Sequence, residues 1–166
     1  MNQKIMFKSA VWILYSAFFS IQAQVYVSKS SVVHFFSETP MENIEATSNQ
    51  TSSVLNTQTG ELVISINISS FRFASKLMEE HFNENYMESD KYPKADFKGK
   101  IVDLKSVNFE KDGVYNVEVS GDLTIHGVKK PRKINAQLVV KSGSIIGTSK
   151  FKVALVDHNI ERPKIV

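Results

Sequence analysis

Four stretches of this 166-residue chain alternate apolar and polar side chains with a period of two. ELVISINIS sets Leu62, Ile64, Ile66 and Ile68 against Glu61, Ser65 and Asn67. YNVEVSGDLTI sets Tyr115, Val117, Val119, Leu123 and Ile125 against Asn116, Glu118, Ser120, Asp122 and Thr124. KINAQLVVK repeats the pattern with Ile134, Ala136, Leu138 and Val140, and KFKVAL with Phe151, Val153 and Leu155. In a strand, successive side chains point to opposite faces, so these runs predict antiparallel strands, dry on one side and wet on the other.

Turn residues separate the runs. Thr59-Gly60, Lys111-Asp112-Gly113 and Ser142-Gly143-Ser144 predict hairpin connections. Further strands are expected over residues 25–28, 31–39, 44–50 and 94–105. Long neighbouring strands with short loops favour a meander that curls into a barrel of about eight strands, with a sandwich as the main rival. One segment breaks the period. SKLMEEHFNENYM (residues 75–87) has Leu77, Met78, His81 and Phe82 at helical spacing, with Ser75 as candidate N-cap. It predicts a short helix across one end of the barrel, ended by Pro93.

The N-terminus follows another rule. Lys4 and Lys8 precede AVWILYSAFFSI and then Ala23, the pattern of a cleaved secretory signal over residues 1–23. The apolar run is shorter than the roughly 20 residues that span a bilayer, so no stable membrane span is expected. An uncleaved anchor or a buried N-terminal helix is the rival reading. Residues 24–166 then form one domain, long enough to bury a sizeable core. Without Lys4 and Lys8 the chain keeps 18 basic and 17 acidic side chains. Near-neutrality, with no basic cluster interleaved with aromatics, argues against a nucleic-acid partner. The chain has no cysteine. Disulfides, thiol catalysis, cysteine-held metals and a lipid-modified cysteine are therefore excluded.

Chemistry-bearing residues are scattered. His34, His81, His126 and His158 lie in separate segments and form no HxxxH or HExxH motif, so no metal site is expected. Adjacent Glu79, Glu80 and His81 would point in different directions on a helix. Asp157-His158 invites a triad, yet no serine stands in a GxSxG elbow. The sequons at Asn49 and Asn67 match a pattern common by chance, and no function is attached to them. Phe35, Phe36, Phe71, Phe73, Phe97 and Phe109 could fill the barrel or line a cavity in it, and periodicity does not separate the two.

GDLTIHGVKKP (residues 121–131) resembles the signature of the YceI-like family, exported bacterial proteins with a lipocalin-like barrel. ISSFRFASKLMEEHFNENYMESDKYPKADFKGKI (residues 68–101) is similar to the family's succession of strand, short helix and Lys-Tyr-Pro before an F-x-G strand. Thr59-Gly60-Glu61-Leu62 and the late F-x-V-x-L ahead of a proline fit too. The resemblance implies a long isoprenoid or other amphiphile in the barrel, its chain inside and its polar head near the mouth. It implies no cofactor and no catalytic histidine. His126, on the polar side of its strand before Gly127 and the Lys130-Pro131 break, is expected to play a structural part, capping the strand end or hydrogen-bonding a neighbouring loop.

The candidate ligand-lining residues are Phe35, Ile64, Ile66, Phe71, Phe73, Phe97, Val117, Val119, Leu123, Ile125 and Leu138. The expected function is non-enzymatic carriage of a polyisoprenoid or similar lipid, periplasmic or secreted. The alternatives are a lipid-modifying enzyme using His126 or Asp157-His158, and a filled-core structural or stress-related exported protein. Family chains continue past a segment like Arg162-Pro163-Lys164-Ile165-Val166 through a further strand. The expectation is thus a seam lacking one member beside a strand over residues 147–155, and either self-association there or a chain cut short. Oligomeric state stays open.

Overall fold

A computed structural model describes residues 25–38 and 43–161, apart from the Ser30 side chain. The expected signal over residues 1–23 and the segment Arg162-Pro163-Lys164-Ile165-Val166 lie outside the described residues. The strands are β1 (Val25–Ser37), β2 (Ile44–Asn56), β3 (Glu61–Asn67), β4 (Arg72–Phe73), β5 (Lys94–Ile101), β6 (Gly113–Ile125), β7 (Val128–Lys141) and β8 (Ser144–Ser149). They pair antiparallel in the order β1-β2-β3-β5-β6-β7-β8, with β4 added to β2, and curl into a nearly closed barrel of the lipocalin-like kind. Six antiparallel steps separate β1 from β8, so these two run in the same direction.

The alternation sets which side is dry. Val117, Val119 and Leu123 of β6 and Ile134, Leu138 and Val140 of β7 are buried, while Asn116, Ser120, Lys133 and Asn135 are exposed. Burial of such rows stabilises the barrel at roughly 25 cal/mol per Å² of apolar area removed from water.

Several boundaries differ from the sequence expectations. The first segments fuse into the 13-residue strands β1 and β2. Their register slips between the pairs Ser28↔Ser53, Ser31↔Thr51 and Val33↔Ser48. Three residues separate Ser28 from Ser31 where two separate Thr51 from Ser53, so β1 bulges at Lys29 and Ser30. By the same count β2 bulges at Asn49 and Gln50. Pattern alone reads such a bulge as a strand break.

β5 ends at Ile101, because Asp103 caps a 3-10 turn at Leu104–Ser106 by accepting from the Lys105 N–H at 3.2 Å. KFKVAL is not a strand. β8 stops at Ser149, whose hydroxyl donates to the Asn135 carbonyl at 2.7 Å, and the ladder with β7 goes no further. Val153 and Leu155 still pack against the core, whereas Phe151 is exposed.

Gly127 and Pro131 do not end the fold's longest hairpin. His126 and Gly127, at φ 51° and 73°, form the tight turn itself, and β7 continues through Pro131 opposite Asp122. Since Asn135 presents its carbonyl toward β8, Pro131, four residues earlier, faces that same side. No ladder bond to β8 forms there among the described residues, so the missing proline N–H breaks nothing.

The helix is α1 (Lys76–His81), followed by one π turn at Phe82–Tyr86. Ser75 caps it as expected, accepting from the Met78 N–H at 3.4 Å. The four residues at helical spacing do not share one side. Leu77 is 59% exposed and His81 is exposed, while Phe82 and Tyr86 pack against the barrel.

Candidate functional site

The interior holds two apolar clusters. The first gathers Phe97, Val117, Val119, Leu123 and Leu138 with Ile64, together with Leu55, Ile101, Val107 and Ile134. The second gathers Phe71 with Phe35, Ile66 and Phe73, closed by Ile68, Met87 and Ile160. Ile125 packs against both and joins them. All eleven candidate lining residues therefore sit in the interior clusters. Of the other two aromatics, Phe109 packs beside the first cluster, but Phe36 is 56% exposed. Phe35 takes the inward position, and its neighbour must point out.

Phe82 plugs the second cluster. Its ring centroid lies 4.9 Å from that of Phe73, 5.5 Å from Phe71 and 5.9 Å from Phe35, all tilted or edge-on, the arrangement aromatic quadrupoles prefer.

His126 anchors the same end from outside. Its Nε2 is 2.6 Å from Glu88 Oε2, and its Nδ1 is 3.3 Å from the His158 carbonyl oxygen. The ring packs on Tyr92 at 4.4 Å, and a Cβ on Gly127 would come within 2.7 Å of that Tyr92 ring. One imidazole thus ties the β6–β7 turn to the segment after the π turn and to the 3-10 turn Leu155–His158. The expected bond to a neighbouring loop is present. Beside it, the Lys91 ammonium titrates above its ordinary value, chiefly through the Tyr92 hydroxyl and then the Glu88 carboxylate.

The residues considered for catalysis do not come together. Asp157 is engaged by Arg132 at 2.8 Å, and His158, fully buried, turns Nδ1 to the Val128 carbonyl at 3.0 Å. Glu79 faces Arg72 and the Phe73 N–H, while Glu80 and His81 are exposed. Among the described residues no three His, Asp or Glu side chains are grouped to hold a metal, and no helix is long and apolar enough to cross a membrane.

Sequence reasoning missed a set of inward hydroxyls. Ser48, Thr51 and Ser70 are buried, and Ser28, Ser31 and Ser53 are half-buried. On β1 they separate Tyr26 of the first cluster from Val33 and Phe35 of the second, and on β2 they separate Leu55 from Ala46. The available signal was the density of serine and threonine where the alternation slips.

A nearly closed antiparallel barrel with an apolar interior and a helix over one end defines the lipocalin-like class of binding folds. The chain belongs to the YceI-like family, whose domain matches residues 23–165. Among solved structures it is similar to a polyisoprenoid binding domain from Saccharophagus degradans implicated in plant cell wall breakdown. That likeness has 17% identity over 84% of this chain and 83% of that one, at a TM-score of 0.71, and it shows the fold. BcnA of Burkholderia cenocepacia is 14% identical over 81% of this chain and 72% of its own, at a TM-score of 0.49. A Campylobacter jejuni YCEI protein is 15% identical over 82% and 63%, at 0.39. No curated protein matches the sequence.

Proposed function

We propose that the protein carries a polyisoprenoid or similar long-chain amphiphile inside the barrel, without catalysing a reaction on it. The observation that carries this reading is the apolar lining that passes from one cluster to the other through Ile125. Family membership supports a binding role, and the Saccharophagus degradans domain of the same fold is described as polyisoprenoid-binding. A methyl-branched chain suits the site because each buried methylene contributes about 0.8 kcal/mol and needs no polar partner. Phe82 rides on six residues of α-helix and one π turn, so its withdrawal is the least costly way to open that end.

Export follows from the same reading. Residues 1–23 direct secretion, cleavage follows Ala23, and the carrier works in the periplasm. Native mass spectrometry of the full chain, expressed and purified from its own host, tests the proposal. A co-purifying long-chain lipid of defined mass, on a protein that begins at Gln24, is the expected result. A ligand-free protein that also fails to bind a fluorescent prenyl probe would overturn carriage. An intact Met1 on the purified protein would overturn export.

A further inference from the structure

On the inner side of β1 and β2 the apolar lining is interrupted by hydroxyls, and two bulges put them there. Ser48 and Thr51 are three residues apart, as are Ser28 and Ser31, and in a regular strand the members of each pair would face opposite sides. The extra residue in each strand brings both members inward around the pair Ser31↔Thr51. Bulges that re-aim side chains in this way recur at binding sites.

Among these inward hydroxyls Thr51 stands apart. Ser70 donates to the Asn67 carbonyl, so in the 2.6 Å contact between Ser48 and Ser70 the donor is Ser48. Ser48 in turn accepts from the Gln50 N–H at 3.3 Å, so both hydroxyls are committed. Ser31 donates to Ser28 and stands 3.3 Å from Ser53. Among the described residues Thr51, at 1% exposure, has no partner for its Oγ1. Buried hydroxyls are almost always paired, because water's bonds are otherwise lost without replacement.

We infer that Thr51 and its hydroxyl neighbours receive one uncharged oxygen-bearing group of the bound amphiphile, an alcohol or a carbonyl. This rests on the barrel-carriage reading and places the polar group at the waist of the barrel rather than at its mouth. A threonine hydroxyl both donates and accepts, so it serves either group. A phosphate or carboxylate does not fit. The inward residues of β1 and β2 (Tyr26, Ser28, Ser31, Val33 and Phe35, then Ala46, Ser48, Thr51, Ser53 and Leu55) include no cation. Arg132, on β7, is already held by Asp157. A desolvated anion at Thr51 would lack a counter-charge.

The test uses three ligands that share one saturated C20 isoprenoid skeleton: phytanol, phytane and phytanyl phosphate. Each is measured by displacement of a fluorescent prenyl probe from the wild-type protein, Thr51→Val and Thr51→Ser. Wild type is expected to prefer the alcohol to the hydrocarbon by about 5- to 10-fold, the worth of one net hydrogen bond. Thr51→Val should bring that ratio close to one while phytane binding holds or rises, which also shows the variant to be folded. Thr51→Ser should keep the preference. A wild-type ratio of one, or a ratio that Thr51→Val leaves unchanged, overturns the inference while phytane binding leaves carriage standing. Tighter binding of the phosphate than of the alcohol overturns the uncharged group. Failure of all three ligands to displace the probe, or of the probe to bind, removes carriage and the inference together.

Discussion

β6 and β7 keep one register from Gly113↔Val140 to Ile125↔Val128, whereas β1 and β2 slip twice within 13 residues. The regular pair presents Val117, Val119, Leu123, Ile134 and Leu138 to the interior, and its lining is apolar wherever it is buried. The bulged pair presents Tyr26 and Leu55 at one end, Phe35 and Ala46 at the other, and hydroxyls between them. Regular pairing carries one pattern through the whole length of a strand. A bulge resets that pattern and lets polar side chains join a face that is otherwise dry. In this barrel the regular side supplies bulk apolar burial, and the bulged side supplies a place for a polar atom.

The contrast can be broken most severely on the regular side. Leu123→Asp buries a charge among Phe97, Val119 and Ile134 and should destabilise the fold by about 4 kcal/mol. Thr124→Lys, one residue on and facing outward, should stay within about 0.5 kcal/mol. Urea denaturation midpoints check the pair, and similar shifts for both would mean that β6 is turned by one residue.

On the bulged side, deletion of Gln50 removes the extra residue of β2. Ser48 and Thr51 then stand two residues apart, so Ala46, Ser48, Thr51, Ser53 and Leu55 keep the inward side in a regular strand, and the expected loss is no more than about 1 kcal/mol. A loss of several kcal/mol in the melting of the deletion variant would show that the bulge does more than reset parity, and the contrast between the two strand pairs would need another cause.

An effect between these two is expected where the regular hairpin turns. His126→Ala removes the bonds to Glu88 and to the His158 carbonyl and puts alanine at φ 51°, a loss of about 2 kcal/mol. Prenyl-probe affinity should stay at the wild-type value. Abolished binding in a folded variant would move His126 from anchoring the barrel end to serving the ligand.

Much of this arrangement was legible beforehand. The strands β3, β6 and β7 announce themselves through Ile64, Val117 and Leu138, because side-chain direction in a regular strand depends only on residue parity. Ser75 as helix cap, and the bond that His126 makes to a neighbouring loop, also agreed with expectation. KFKVAL has strand alternation too, yet it makes no ladder, because a strand needs a neighbour and Ser149 ends the pairing with β7. Pro131 reads as a breaker, yet it sits inside β7, because its missing N–H points to the side where no ladder bond forms. Of the four residues at helical spacing, Phe82 faces the barrel while Leu77 and His81 do not, since rows through Leu77 and through Met78 are equally helical and only the barrel end selects between them.

The sequence by itself determined the antiparallel class, the apolar side of its regular strands and, through GDLTIHGVKKP and the helix-bearing segment, the family. These are local properties, written in spacing and in short motifs. Tertiary structure alone decided which hydroxyls enter the interior, which carboxylate meets His126 from 38 residues away, and that Asp157 pairs with Arg132 rather than with its neighbour His158. Each of these depends on cross-strand register or on contacts between distant segments, and a bulge of one residue changes the parity on which a local reading of the pattern relies.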